Sequence, residues 1–126
     1  MDEQQLLDRF HSSTPGFLKR LGGRFVSVKA DTATCVMAFD ISKDYCHSID
    51  VVQGGFITAM LDAAMTHAAF ATSDDVANIA SLEIKTTYLE PTRAGCLRVE
   101  GYVIKMGYKT AFLEGQIGRA SCRERV

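Results

Sequence analysis

The sequence predicts an α+β domain in which an antiparallel sheet of about five strands wraps around one long helix. Two β-rich runs precede a long apolar segment and three follow it, whereas a parallel sheet would need strands that alternate with helices. The long segment is rich in alanine, and small side chains allow a curved sheet to approach a helix closely. A chain of 126 residues suits one domain with a single core.

Two short helices are predicted at the N-terminus. Apolar residues recur at helical spacing between residues 2 and 10, behind acidic residues that complement the helix dipole. Thr14 and Pro15 predict the start of a second helix, with Thr14 as its cap and Pro15 at the first helical position. Gly22 and Gly23 end this helix, which we interpret as a lid or packing element.

Five runs are rich in β-branched and aromatic residues and predict strands. Their ranges are 25–28, 32–39, 79–89, 96–106 and 110–117. The long helix is predicted over residues 54–71, after a polar connection. The order of elements is therefore two strands, the long helix and three strands.

Charge and cysteine usage exclude several classes of function. Lys and Arg number 14 and Asp and Glu number 15, so a broad attraction to nucleic acid or to an anionic membrane is not expected. No apolar run reaches the ~18 residues of a membrane span, and no secretory pattern opens the chain. The four cysteines form no C-x-x-C pair, which argues against a zinc site and a disulfide framework. We expect a cytoplasmic protein with no metal or redox cofactor.

The last residues differ in character from the strand before them. Residues 118–126 are basic and irregular, whereas the preceding run alternates apolar and polar residues. We therefore predict a single domain over residues 1–117 and a non-native or disordered tail over residues 118–126.

The long helix combines a glycine-rich start with one carboxylate. Gly54 lies at its start, where free backbone amides can stabilise a developing oxyanion. Thr58, Asp62 and Thr66 follow at four-residue spacing and form one polar line on an otherwise apolar helix. This line predicts a surface that faces substrate, and the alternative is that Asp62 only marks the solvated side of an amphipathic helix.

Two motifs together resemble a known family. The run Gln53-Gly54-Gly55, followed by Asp62 and by the run from Ser81 to Gly95, is similar to hotdog-fold acyl-CoA thioesterases of the PaaI type, the relatives of 4-hydroxybenzoyl-CoA thioesterase. The similarity covers roughly residues 22–117. It implies the hotdog fold and hydrolysis of an acyl-CoA to the free acid and coenzyme A. Coenzyme A is then part of the substrate, and no cofactor is implied.

The resemblance also assigns roles to individual residues. It implies that the amide of Gly54 polarises the thioester carbonyl and that Asp62 acts as base or nucleophile. Thr66 and Ser81 match the helper positions that different family members use. Gln53 stands where the family usually has histidine, and its amide can cap the helix, orient a water or bind the thioester oxygen. A loop residue with none of these roles is the alternative for Gln53.

Six further residues are candidates for contacts with the substrate. They are His47, Gly55, Phe56, Thr58, Arg93 and Lys109. His47 stands at a polar position where the family often has asparagine, and Gly55 lets substrate approach the backbone. The two basic residues, with Lys105, are expected to bind the phosphates of coenzyme A, although exposed lysines at sheet edges look the same.

The spacing on the helix predicts a site shared between two subunits. Asp62 follows Gly54 by eight residues, which corresponds to ~12 Å along the helix axis. One chain therefore cannot place both around one carbonyl. We expect a homodimer or homotetramer with equivalent sites across an isologous interface.

Two alternatives keep the fold and change the function. The replaced polar positions, Gln53 and His47, are compatible with a noncatalytic acyl-CoA-binding module. A hydratase or dehydratase acting on enoyl thioesters would pair the carboxylate with a histidine, which would be His67 or His47. The acyl group stays open, because Phe56, Met60, Tyr88 and Phe112 suit short, medium and aryl chains equally well.

Overall fold

One antiparallel sheet and one long helix form the body of the molecule. The computed structural model describes residues 2–73 and 76–119. The helices are α1 (Glu3–Ser12), α2 (Gly16–Arg20) and α3 (Gly54–Phe70), and a short 3-10 turn spans Lys43–Tyr45. The strands are β1 (Gly23–Lys29), β2 (Thr34–Ile41), β3 (Gly95–Met106) and β4 (Ala111–Arg119). They lie in the order β1-β2-β3-β4, and each adjacent pair is antiparallel.

The helix α3 packs across β2, β3 and β4, as the alanine-rich sequence predicts. Ala64, Ala68 and Met60 are completely buried in this interface. A Cβ atom added at Gly101 on β3 would lie 2.6 Å from the carbonyl oxygen of Ala64, so this position must be glycine for the sheet to approach the helix. The predicted α+β class and the central helix are confirmed.

The N-terminal hairpin, residues 3–20, packs against the edge strand β1 and lies beside the C-terminal half of α3. Asp2 caps α1 with its carboxylate, which accepts from the amide of Gln5 at 2.8 Å. Thr14 does not cap α2, because its hydroxyl donates at 2.8 Å to the carbonyl of Phe10 at the end of α1, which also accepts from the amide of Ser13. Pro15 occupies the N-cap position instead.

Two side chains of α1 bind the backbone of β1. The carboxylate of Glu3 accepts from the amide of Val28 at 3.1 Å, and Nε2 of His11 accepts from the amide of Phe25 at 3.2 Å. Lys29 adds an ion pair to Glu3 at 3.1 Å. Because the amides belong to the backbone, these bonds fix α1 in position along β1.

The expected strand over residues 79–89 does not form, so the described sheet has four strands and not about five. We call this range the covering segment. Its residues form no backbone hydrogen bonds with any described strand. A cleft of about 480 Å³ lies between residues 85–93 and the end of β4. Strand propensity alone does not produce a strand without a paired neighbour.

The C-terminal boundary also differs slightly from the expected one. Gly118 and Arg119, which the sequence assigns to the tail, pair with Arg98 and Leu97 as part of β4. The remaining tail, residues 120–126, lies outside the described residues. Among the described helices, none has the length and apolar character that crossing a membrane requires.

Candidate active site

The first turn of α3 presents two backbone donors. Gln53 occupies the N-cap with an extended backbone, and its side chain makes no capping hydrogen bond. The amide of Phe56 donates to the carbonyl of Gln53 at 3.0 Å. Within the described residues, the amides of Gly54 and Gly55 have no acceptor. These two donors are available to an oxyanion at the positive end of the helix dipole.

A chain of hydroxyl groups ties the covering segment to this turn. The hydroxyl of Tyr88 donates to the carbonyl of Gly54 at 2.9 Å. Since that hydroxyl has a single proton, Thr58 must donate to Tyr88 at 2.9 Å, and Thr86 must donate to Thr58 at 2.9 Å. The resulting chain runs in one direction and ends on the backbone of Gly54. The sequence predicts Tyr88 only as a residue that lines the acyl pocket, because no short-range pattern indicates this contact across 34 residues.

Asp62 meets the other end of the covering segment. The hydroxyl of Ser81 donates to Oδ1 of Asp62 at 2.8 Å, across 19 residues of sequence. No hydrogen bond from a described residue to Oδ2 accompanies this one. The structure therefore brings together Ser81 and Asp62, with one carboxylate oxygen held and the other free to bind water.

A cleft of about 350 Å³ opens beside Asp62, between the N-terminal hairpin and the C-terminal half of α3. Thr66 and His67 also line it. The hydroxyl of Thr66 donates to the carbonyl of Ala63 at 3.2 Å, within its own helix. Thr66 is thus beside Asp62, and its proton is engaged with the backbone.

His67 is held in one tautomer. Its Nδ1 lies 2.8 Å from the carbonyl of Ala63, which can only accept, so Nδ1 carries the proton and Nε2 has the lone pair in the neutral ring. Burial lowers the pKa of His67, while the bond to Ala63 and the charge of Asp62 act in the opposite direction. The ring packs against Phe10, Phe25 and Phe70.

The other predicted substrate contacts are spread over the surface. His47 is exposed, and its ring bonds the hydroxyl of Ser48 at 2.9 Å. Phe56 packs its ring edge-on against Tyr45, with centroids 4.9 Å apart. Neither His47 nor Phe56 lines either of the two clefts described above.

The basic residues do not form a cluster within the chain. Arg93 pairs with Asp50 at 2.8 Å beside the start of β3, whereas Lys109 lies in the turn after β3. A strand of 12 residues separates them, which corresponds to roughly 36 Å. They cannot bind the same phosphate of one substrate from a single chain.

The expected acyl-pocket residues are also dispersed. Met60 is fully buried beneath the sheet, Phe112 projects from β4 to solvent, and Tyr88 lines the larger cleft. Over residues 2–73 and 76–119, no group of three His, Cys, Asp or Glu side chains is placed to hold a metal ion.

Comparison with known proteins identifies the fold and the family. The model of the thioesterase superfamily matches residues 49–125. A phenylacetic acid degradation-related protein from Ralstonia eutropha superposes with a TM-score of 0.82 at 24% identity, covering 92% of this chain and 86% of that one. A variant of the phenylacetic acid degradation protein PaaI from Thermus thermophilus gives 0.71 at 19% identity, covering 82% and 86%.

A mammalian structure is similar to the same extent. Thioesterase superfamily member 2 from Mus musculus gives a TM-score of 0.76 at 19% identity, covering 92% of this chain and 84% of that one. No curated protein sequence matches the chain. The matched model spans well over half of the 126 residues, and these structures share the helix and sheet described above. The chain therefore belongs to the thioesterase superfamily and has the hotdog fold of the PaaI type.

Proposed function

We propose that this protein is an acyl-CoA thioesterase whose active site is shared between two subunits. The observation that carries the proposal is that α3 has two amides without an acceptor at its start and, two turns later, a carboxylate that lines a cleft. The amides supply stabilisation for an oxyanion, and the carboxylate supplies a base. Membership of the thioesterase superfamily supports hydrolysis of a thioester.

The chemistry follows from these groups. Asp62 of one subunit takes a proton from water as the water oxygen bonds to the thioester carbonyl carbon, and the amide of Gly54 of the partner subunit stabilises the oxyanion. The intermediate then breaks its C–S bond, and the thiolate of coenzyme A takes the proton from Asp62. One water and one acyl-CoA give one acid and one free thiol. Ser81 orients the carboxylate in this scheme, through its 2.8 Å hydrogen bond.

A nucleophilic route is also open to the same carboxylate. Asp62 would attack the carbonyl carbon, expel the thiolate and form a mixed anhydride that water then hydrolyses. Single turnover in ¹⁸O-labelled water tests for an anhydride hydrolysed at the Asp62 carbon. That reaction places the label in the protein, whereas direct attack by water and hydrolysis of the anhydride at its acyl carbon both place it in the product acid.

Replacement of Asp62 tests the assignment of the base. Asp62→Asn keeps the shape and removes the charge, so we expect thiol release from acyl-CoA to fall by about 10²-fold or more. Asp44→Asn is the matched control, because this aspartate is exposed in the 3-10 turn before α3. Unchanged thiol release by Asp62→Asn would exclude this role and would favour a noncatalytic acyl-CoA-binding module.

A subunit-mixing experiment tests whether the site is shared. Asp62→Asn and Gly54→Val each inactivate one half of the proposed site. In a mixed dimer, one site receives both defects and the other receives neither. Random exchange then restores about a quarter of the wild-type activity, since half of the dimers are mixed. A site contained within one chain predicts no recovery after the same exchange.

One observation favours a second function. Asp62 and His67 line the same cleft, which is the carboxylate and histidine pair that an enoyl thioester hydratase or dehydratase requires. His47 does not line this cleft. Loss of the conjugated double bond of crotonyl-CoA without release of thiol would identify this activity and exclude thioester hydrolysis as the main reaction.

A further inference from the structure

We infer that the cleft between the N-terminal hairpin and α3 holds the acyl group, and that contact with Phe17 of α2 favours the larger acyl groups over acetyl. The inference rests on the proposed thioesterase function and adds the location of the acyl chain. It assigns a specificity role to a helix pair that contains none of the residues proposed for catalysis.

The position of Asp62 selects this cleft over the larger one. The carbonyl carbon under attack must lie within reach of the carboxylate or of its water, so the attached acyl chain must occupy space that adjoins Asp62. Asp62 lines the cleft of about 350 Å³. It does not line the cleft of about 480 Å³ beside β4. A volume of about 350 Å³ lies in the range of small-molecule sites.

The aromatic part of the wall suits an apolar or aryl group. Phe10, Phe17 and Phe70 line the cleft together with Asp62, whereas Arg9, Ser13 and Asn78 give another part of the wall a polar surface. Phe17 is 48% exposed, although it is a large aromatic residue on a helix of five residues. An acyl chain in the cleft would remove this ring from water, which favours binding in proportion to the apolar area covered.

The hairpin is held rigidly enough to discriminate by size. Phe10 and Leu18 are almost completely buried, and Glu3 and His11 bind backbone amides of β1. The backbone beneath Phe17 is therefore anchored by both helices, while its side chain stays accessible. A fixed wall rejects or retains acyl groups by contact, whereas a mobile one would adapt to any chain.

The test measures acyl preference. Thiol release gives kcat/KM for acetyl-, hexanoyl- and phenylacetyl-CoA with wild type, Phe17→Ala and Ala77→Phe. Phe17→Ala removes a contact that only the larger groups reach, and Ala77→Phe adds a ring to an exposed position in the wall of the cleft. We expect each change to lower the hexanoyl-to-acetyl and phenylacetyl-to-acetyl ratios about tenfold. Tyr108→Ala, at the tip of the β3–β4 turn, is the control and should leave both ratios unchanged.

The outcomes separate the inference from the function on which it rests. Unchanged ratios in Phe17→Ala and Ala77→Phe, with hydrolysis still dependent on Asp62, would overturn the acyl location and leave the thioesterase proposal standing. Absence of thiol release by the wild type from all three substrates would overturn both. Should Ala77→Phe fail to fold, Phe17→Ala decides alone, because its half-exposed ring contributes little to folding.

Discussion

Two segments cover α3, and they are attached to it in different ways. The N-terminal hairpin buries Leu6, Phe10 and Leu18 in the core. The covering segment leaves Leu82 and Leu89 exposed to 86% and 90%, and it contacts α3 through hydroxyl groups. The hairpin is therefore a completed part of the core, whereas the covering segment is attached by polar contacts with its apolar side chains in solvent.

The contrast shows which of the two segments buries its apolar side chains within the single chain and which does not. Burial of an apolar side chain contributes about 1.5–3 kcal/mol, whereas a hydrogen bond contributes about 1 kcal/mol net. The covering segment thus has a weak attachment and an unburied apolar surface. The proposed second subunit would supply a partner for that surface and, with it, the other half of the site.

The largest expected effect is the difference in stability between two single truncations, one in the N-terminal hairpin and one in the covering segment. Phe10→Ala removes a buried ring that packs against Phe25 and His67, so the free energy of unfolding should fall by about 3–5 kcal/mol. Leu82→Ala changes an exposed side chain and should alter it by no more than about 0.5 kcal/mol at protein concentrations that keep the chain monomeric. Urea unfolding followed by circular dichroism measures both, and equal effects would contradict the contrast.

An intermediate change tests the contact between Tyr88 and the first turn of α3. A Cβ at Gly54 would lie 3.1 Å from the Tyr88 hydroxyl, whereas one at Gly55 would have nothing within 4 Å. Gly55→Ala should stabilise the helix by up to about 1 kcal/mol. Gly54→Ala should lose this gain, because it crowds a hydrogen bond worth about 1 kcal/mol.

A third substitution tests whether Tyr88 causes the difference between Gly54→Ala and Gly55→Ala. Tyr88→Phe removes the hydroxyl and its bond to Gly54, so the difference between the two alanine variants should shrink in that background. Thermal unfolding of the single and double variants measures this coupling. A difference that persists in full without the hydroxyl would place its cause elsewhere.

The contribution of Glu3 to the pH dependence of stability should be smaller than the effects of the truncations and of the glycine substitutions. The bonds to Lys29, Val28 and Ser27 hold the pKa of Glu3 below its ordinary value of 4.5, against the opposing effect of desolvation. Because the folded pKa is the lower one, Glu3 stabilises the fold above pH 4.5, and this contribution is lost as the pH falls through the folded pKa. Glu3→Gln should flatten the dependence of the melting temperature on pH as the pH falls below 4.5, by a small amount since solvent partly screens the group.

A control variant on the same helix shows whether the acid dependence of stability comes from Glu3. Asp8→Asn on the same helix removes a carboxylate with no contact to β1, and it should leave the acid dependence due to Glu3 in place. Equal acid dependence in Glu3→Gln and wild type would show that the contact does not stabilise the hairpin.

Local features of the sequence predicted the helix and its polar line well. The helix α3 begins at Gly54 as expected and ends one residue before the predicted end. Its four-residue spacing of Gly54, Thr58, Asp62 and Thr66 follows directly from helix geometry. The covering segment was predicted wrongly as a strand, because pairing depends on a distant neighbour that composition does not reveal.

Helical periodicity and glycine chemistry act over a few residues, and for this reason the class of fold, the central helix and its carboxylate could all be predicted from the sequence. Contacts between residues far apart in the sequence could be identified only from the folded structure. Folding placed the hydroxyl of Ser81 on Asp62, Tyr88 on Gly54 and the N-terminal hairpin beside the cleft, and it separated Arg93 from Lys109 by the length of β3. Such contacts depend on how the whole chain packs, which no short window of sequence encodes.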